Sequence, residues 1–209
     1  MVDAGIGRLL IASLHQGIAD VVPTRLPFYE SWLTPPGLKT ARIGIAPLNA
    51  ALSFLRLEGR PAYENVMRRA GCYSADWTLR EMSPMRRAVL RRCPPAVRAR
   101  WAMLLSRNLV ADTFRGSRPK ARVRRGVGIL DIRASIFCEV REQAPVPLCG
   151  YYVAAVQRFF EHCGIDASVL TQQCRAAGAP ACTLAVTIGG AREPLAVADQ
   201  AADTETEAA

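Results

Sequence analysis

Cys149, Cys174 and Cys182 are the residues of this sequence best suited to chemistry. Cys149 opens the segment Gly150-Tyr151-Tyr152-Val153-Ala154-Ala155-Val156, which reads as the start of an amphipathic helix. Cys174 closes one candidate strand and Cys182 begins the next. Such an arrangement can gather three soft ligands at one edge of a small sheet. A closed structural zinc site takes four ligands at tetrahedral angles. Three thiolates therefore leave a fourth position for water or for Glu142, Glu161 or His162. Two other readings stand beside zinc. Free cysteines are among the most buried residue types and serve as packing, and a thiol at a helix N-terminus can be reactive. His15 and His162 are the only histidines and neither is near Cys149 in sequence, so a Cys–His nucleophile pair is not expected.

The second candidate site is aromatic. Trp101, Phe114, Phe137, Tyr151, Tyr152, Val156 and Phe159 are candidate walls of a cavity between helices and sheet. Helical spacing places Tyr152, Val156, Phe159 and Cys163 on one side of the helix, with Tyr151 and Phe160 flanking it. The competing reading is ordinary core, since apolar stripes usually pack. Haem would need an axial ligand facing an apolar cavity. His162 sits instead at a polar helix end beside Glu161, so haem is not expected. Asp131, Glu139 and Glu142 are isolated carboxylates, and no P-loop, nucleophile elbow, or nicotinamide or flavin motif is present. Binding is favoured over catalysis.

The elements that must position these groups fall in two parts. Apolar spacing predicts helices over about 5–22, 48–57, 61–79, 83–92 and 96–114, with Pro23, Gly59 and Pro94-Pro95 as breaks and Ser83 as an N-cap. Residues 27–37 read as an irregular connection. From Gly116 the period changes to two. Strands are expected at 122–125 and 128–135, a helix at 148–163, and strands at 167–173 and 182–188. The fold class is α+β: N-terminal helices followed by a β-β-α-β-β unit, its antiparallel sheet packed against helices. The expected organisation is an N-terminal helical extension (1–60), a ligand-binding domain (61–190) and a disordered acidic tail (191–209). Seven cysteines, an odd number, argue for reduced thiols rather than a disulfide framework, and no secretory signal or membrane span is visible, so the cytoplasm is the expected location. The net charge of +9 is concentrated in arginines between 86 and 125. Without a helix-turn-helix or zinc-finger pattern, nucleic acid is not an expected partner.

Residues 149–186 resemble the 4-vinyl reductase domain family. The resemblance is carried by the helix entered by Cys149 and by the hairpin Gln173-Cys174-Arg175-Ala176-Ala177-Gly178-Ala179-Pro180-Ala181-Cys182. Weaker similarity extends back to about residue 66 through Ala70-Gly71 and Thr113-Phe114-Arg115-Gly116-Ser117. That family is similar in fold to a Golgi transport-complex subunit and, more distantly, to haem-based gas sensors. The resemblance implies a hydrophobic or tetrapyrrole-type ligand, held as a carrier or accessory factor in bacteriochlorophyll biosynthesis. A vinyl reductase and a ligand sensor or interaction scaffold are the alternatives, with a partner enzyme or a homodimer as possible partners. It also implies zinc on Cys149, Cys174 and Cys182 with a glutamate, whose position here is Thr171.

Overall fold

The computed structural model describes residues 5–33, 44–140 and 142–189. The expected tail at 191–209 lies outside the described residues, as does most of the segment around Pro35 and Pro36. Among the described residues seven α-helices and four strands follow in the order α1 (Arg8–Val21), α2 (Leu26–Leu33), α3 (Ile45–Leu57), α4 (Arg60–Glu81), α5 (Pro84–Arg92), α6 (Pro95–Thr113), β1 (Arg118–Arg124), β2 (Val127–Arg133), α7 (Gly150–His162), β3 (Ala167–Gln173) and β4 (Cys182–Ile188). The α+β class read from the sequence is the one observed.

Helix ends follow local chemistry. Ser83 caps α5, its hydroxyl accepting from the Arg86 amide at 3.4 Å, with Pro84 in the first turn. α2 is an addition to the expectation of an irregular connection. Pro27 falls in its first turn, where a missing amide hydrogen costs nothing, so proline there does not stop a helix. The α7 C-terminus is closed from outside: the Arg98 guanidinium on α6 donates to the Cys163 carbonyl at 2.6 Å and the Gly164 carbonyl at 3.2 Å.

α4 is the central helix, packed between α1 and α7. Close approach on both sides depends on absent side chains. A Cβ at Gly17 would lie 2.9 Å from the Val66 carbonyl oxygen, and one at Gly71 would lie 2.3 Å from that of Tyr151. Side chains of α1, α2 and α3 belong to the same buried cluster as those of α4, α6, α7 and the sheet, so these three helices share the core of the rest.

The sheet is antiparallel throughout, in the order β1-β2-β4-β3. β1 begins earlier than expected, at Arg118, because it is an edge strand and tolerates Pro119. Arg125 and Gly126 join β1 to β2, both at positive φ, as a two-residue hairpin turn requires. Leu130, Ile132, Leu184 and Val186 form a fully buried inner face, with α6 against β1 and β2 and α7 against β3. β2 stops at Arg133, short of the expected 135. A 3-10 turn, Ile136–Cys138, follows and redirects the chain inward.

Candidate metal centre and the aromatic interior

Four cysteines meet, not three. The Sγ atoms of Cys138, Cys149, Cys174 and Cys182 all lie within 4.8 Å of one another, and all four residues are buried. The separations are 3.3 Å for Cys138–Cys149 and 3.5 Å for Cys138–Cys174, Cys149–Cys174 and Cys138–Cys182. A disulfide needs about 2.05 Å, so these are thiols. Four sulfurs around zinc at about 2.3 Å stand about 3.8 Å apart, close to the spacing observed.

Each sulfur comes from a different element. Cys138 ends the 3-10 turn after β2, Cys149 is the residue before α7, Cys174 follows β3, and Cys182 opens β4. Backbone groups fix their positions. The Arg175 amide donates to Cys182 Sγ at 3.4 Å, and the Leu148 amide faces Cys174. The Ala144 amide donates to the Ala176 carbonyl at 2.7 Å, tying the loop before α7 to the β3–β4 hairpin. Tyr63 of α4 donates to the Leu148 carbonyl at 3.3 Å. Amide hydrogens directed at thiolates are the outer shell that stabilises such ligands.

Proton affinities within the cluster diverge. Hydrogen bonds to the other three sulfurs, together with burial, push the Cys149 thiol far up. Cys174, which accepts from the other three, is pulled down. Cys182 is likewise pulled down by hydrogen bonds from Cys138 and Cys149, whereas Cys138, like Cys149, is pushed up; a cation is what would offset the charge of ionising all four. Four thiolates in a closed, tetrahedral, buried arrangement suit a soft divalent cation.

The fourth position was assigned in sequence to water or to Glu142, Glu161 or His162. The residue that the structure brings to the other three sulfurs is Cys138. Glu161 and His162 lie at the far end of α7, where Arg158 and His162 both contact Asp76, at 2.8 and 2.5 Å, and Arg158 also holds Glu161 at 3.0 Å. Cys138 escaped notice because it follows Ile136 and Phe137, which read as a continuing strand face. Its sole signal was its residue type.

The aromatic residues are placed as follows. Phe137, Tyr151 and Tyr152 touch one another, with ring centroids 4.8 to 5.4 Å apart, and all three are fully buried. Phe114, Val156 and Phe159 lie in the same core. Trp101 does not join them; it is 37% exposed on the outer face of α6. The interior also holds hydroxyls that sequence reasoning missed. Ser13, Ser74, Thr113 and Ser135 are buried. The Tyr151 and Ser74 hydroxyls share a hydrogen bond of 2.6 Å. The Tyr152 hydroxyl and Ser135 Oγ have no partner among the described residues. Ser117, whose hydroxyl donates to the Ala134 carbonyl at 2.9 Å, is the polar side chain facing the Tyr152 hydroxyl, but it stands beyond hydrogen-bond distance. Burial, reinforced by neighbouring Tyr151 and the cysteines, raises the Tyr152 pKa well above that of a free phenol. It is therefore a neutral donor.

No family model matches the sequence, and no curated protein matches it. Solved structures do match. One is an H-NOX protein from S. oneidensis in the Fe(II)NO ligation state, at 10% identity over 88% of this chain and 99% of that one, with a TM-score of 0.53. Another is the H-NOX domain from Shewanella oneidensis in the Fe(II)CO state, at 11% identity over 89% and 99%, TM-score 0.52. A third is the Fe(II) unliganded H-NOX protein from K. algicida, at 10% identity over 90% and 98%, TM-score 0.51. The fold is thus similar to that of H-NOX proteins. These findings overturn the resemblance to the 4-vinyl reductase domain family, and with it the expected place in bacteriochlorophyll biosynthesis and the expected tetrapyrrole carrier or reductase. The resemblance rested mainly on a short cysteine hairpin, Cys174 to Cys182, whose two sulfurs join those of Cys138 and Cys149.

Proposed function

We propose that this chain is a small-molecule sensor module built around a zinc ion held by Cys138, Cys149, Cys174 and Cys182. The observation that carries the reading is one helix joining two features. α7 starts at the four-sulfur cluster and, within its first turn, supplies Tyr152, a fully buried phenol whose hydroxyl has no partner. An unsatisfied buried hydroxyl costs about 1–3 kcal/mol. A ligand carrying one hydrogen-bond acceptor on an apolar body would recover that cost while lying against Phe137 and Tyr151. The likeness in fold to H-NOX proteins supports a ligand-binding module of this architecture.

The neighbours' iron does not carry over. A haem iron on an axial imidazole needs a histidine facing the interior. His15 Nε2 instead contacts Glu30 at 3.0 Å and His162 Nε2 contacts Asp76, both with rings partly in solvent. The residues do not fit that group.

Zinc in this setting is structural: it would fasten the β3–β4 hairpin, the turn after β2 and the start of α7. Entry of a ligand beside Tyr152 parts the Phe137 and Tyr152 rings and shifts the first turn of α7. Cys149, three residues away, passes that shift to the metal and the hairpin. Cobalt(II) replacing zinc reports this directly. Binding of a phenol-sized neutral ligand is expected to alter the visible bands of the cobalt–thiolate centre, and Tyr152→Phe is expected to weaken that response. A panel of such ligands that leaves the bands unchanged would contradict the sensor reading without touching the metal assignment.

A further inference from the structure

A second site lies at the opposite end of α7. Asp76, Leu79 and Arg80 of α4, Arg87, Leu90 and Arg91 of α5, and Arg158, His162 and Cys163 around the α7 C-terminus line a half-open cavity of about 270 Å³. Its floor is apolar, with Leu79, Leu90 and Cys163 all buried. Its rim is basic. Arg158 is neutralised by Asp76 and Glu161. Arg80, Arg87 and Arg91 make no ion pair or side-chain hydrogen bond among the described residues, in contrast to Arg158. Arg87 and Arg91 are four residues apart on one helix, where like charges repel. Arg87 Nε is also shielded from solvent and has no acceptor.

We infer that this cavity binds a small amphipathic oxyanion, with a phosphate or carboxylate head against Arg80, Arg87 and Arg91 and an apolar body on Leu79 and Leu90. Three arginines lining one concave face suit planar, multiply accepting oxyanions. The apolar floor selects against bare inorganic anions. This inference is independent of the metal and of Tyr152.

Isothermal titration of the full chain tests it, using phenyl phosphate and benzoate as probes, inorganic phosphate and benzyl alcohol as controls. Saturable one-to-one binding of phenyl phosphate or benzoate is expected, at least tenfold tighter than either control. Phenyl phosphate against benzoate separates a phosphate from a carboxylate preference. Arg87→Ala and Arg91→Ala should each weaken binding about tenfold or more, and Arg87→Lys should restore only part of it, since a lysine keeps the charge and loses the fork. Arg122→Ala, a loss of equal charge beside β2's Asp131 on the sheet, should leave it unchanged. Equal weakening by Arg122→Ala would reduce the effect to the general basic field and overturn the site. So would uptake of anionic vesicles or oligonucleotides with no binding of either organic probe.

Discussion

At the residue scale, Cys138 and Tyr152 decide the account. Cys138 completes a set of four thiols in which no sulfur is redundant. Cys138→Ser is expected to lower zinc affinity by more than about 100-fold, beyond the usual cost of losing an outer-shell contact, as read by competition with a chromogenic chelator. Full retention of zinc by that variant would remove Cys138 from the ligand set. Tyr152→Phe takes away a buried hydroxyl that has no partner. In the ligand-free protein it should be neutral or stabilising by up to about 1 kcal/mol in urea unfolding; a loss of 2 kcal/mol or more would mean the hydroxyl is satisfied. Three of the four sulfurs were legible in the sequence because helix and strand boundaries framed them. Cys138 was not, because β2 ends two residues before the expected point and a 3-10 turn, which leaves no periodic trace, aims the thiol inward. Buried serines settle their hydroxyls locally, which leaves no separate trace in the sequence: Ser13 donates to the Leu10 carbonyl and Ser106 to the Ala102 carbonyl within their own helices.

At the scale of elements, the α4–α7 crossing sets where both sites lie. Gly71 permits it, since a Cβ there would meet the Tyr151 carbonyl oxygen at 2.3 Å and the Ala155 amide at 3.0 Å. Gly71→Ala should destabilise by about 1–3 kcal/mol through overpacking, measured as a shifted urea midpoint with unchanged slope. The far end of the same pair is held by Asp76, Arg158 and His162. Partial burial raises the Asp76 pKa, but hydrogen bonds from Arg158 and His162 outweigh it and the net shift is downward. A lowered folded pKa stabilises the protein above the unfolded value near 4, and that contribution disappears as pH falls through the folded value. Asp76→Asn should therefore cost less than about 1 kcal/mol at pH 6, the exposure being appreciable, and a smaller amount as the pH falls through the folded value. An equal cost at pH 6 and below the folded value would mean the residue acts by packing alone. Most elements were legible from period and punctuation; α2 was obscured by Pro27 in its first turn, and the early start of β1 by Pro119, which an edge position allows.

At the scale of the molecule, one core joins helices from α1 to α7 with a four-stranded sheet. No described helix is long and apolar enough to cross a membrane. The α+β class could be read directly from the switch of period at Gly116, whereas the family could not, because the resemblance hung on a short cysteine hairpin whose sulfurs meet two others in space. The cluster binds four separate segments into the core, so chelation should act globally. At free zinc about 1,000-fold above its dissociation constant, metal contributes about 4 kcal/mol, which for a chain of this size corresponds to about 10 °C in melting temperature. Zinc-edge X-ray absorption of the protein as purified tests the central claim most directly. The expected spectrum is a single shell of four sulfurs at about 2.3 Å. A shell containing nitrogen or oxygen, or protein that carries no zinc and takes none up, would contradict it.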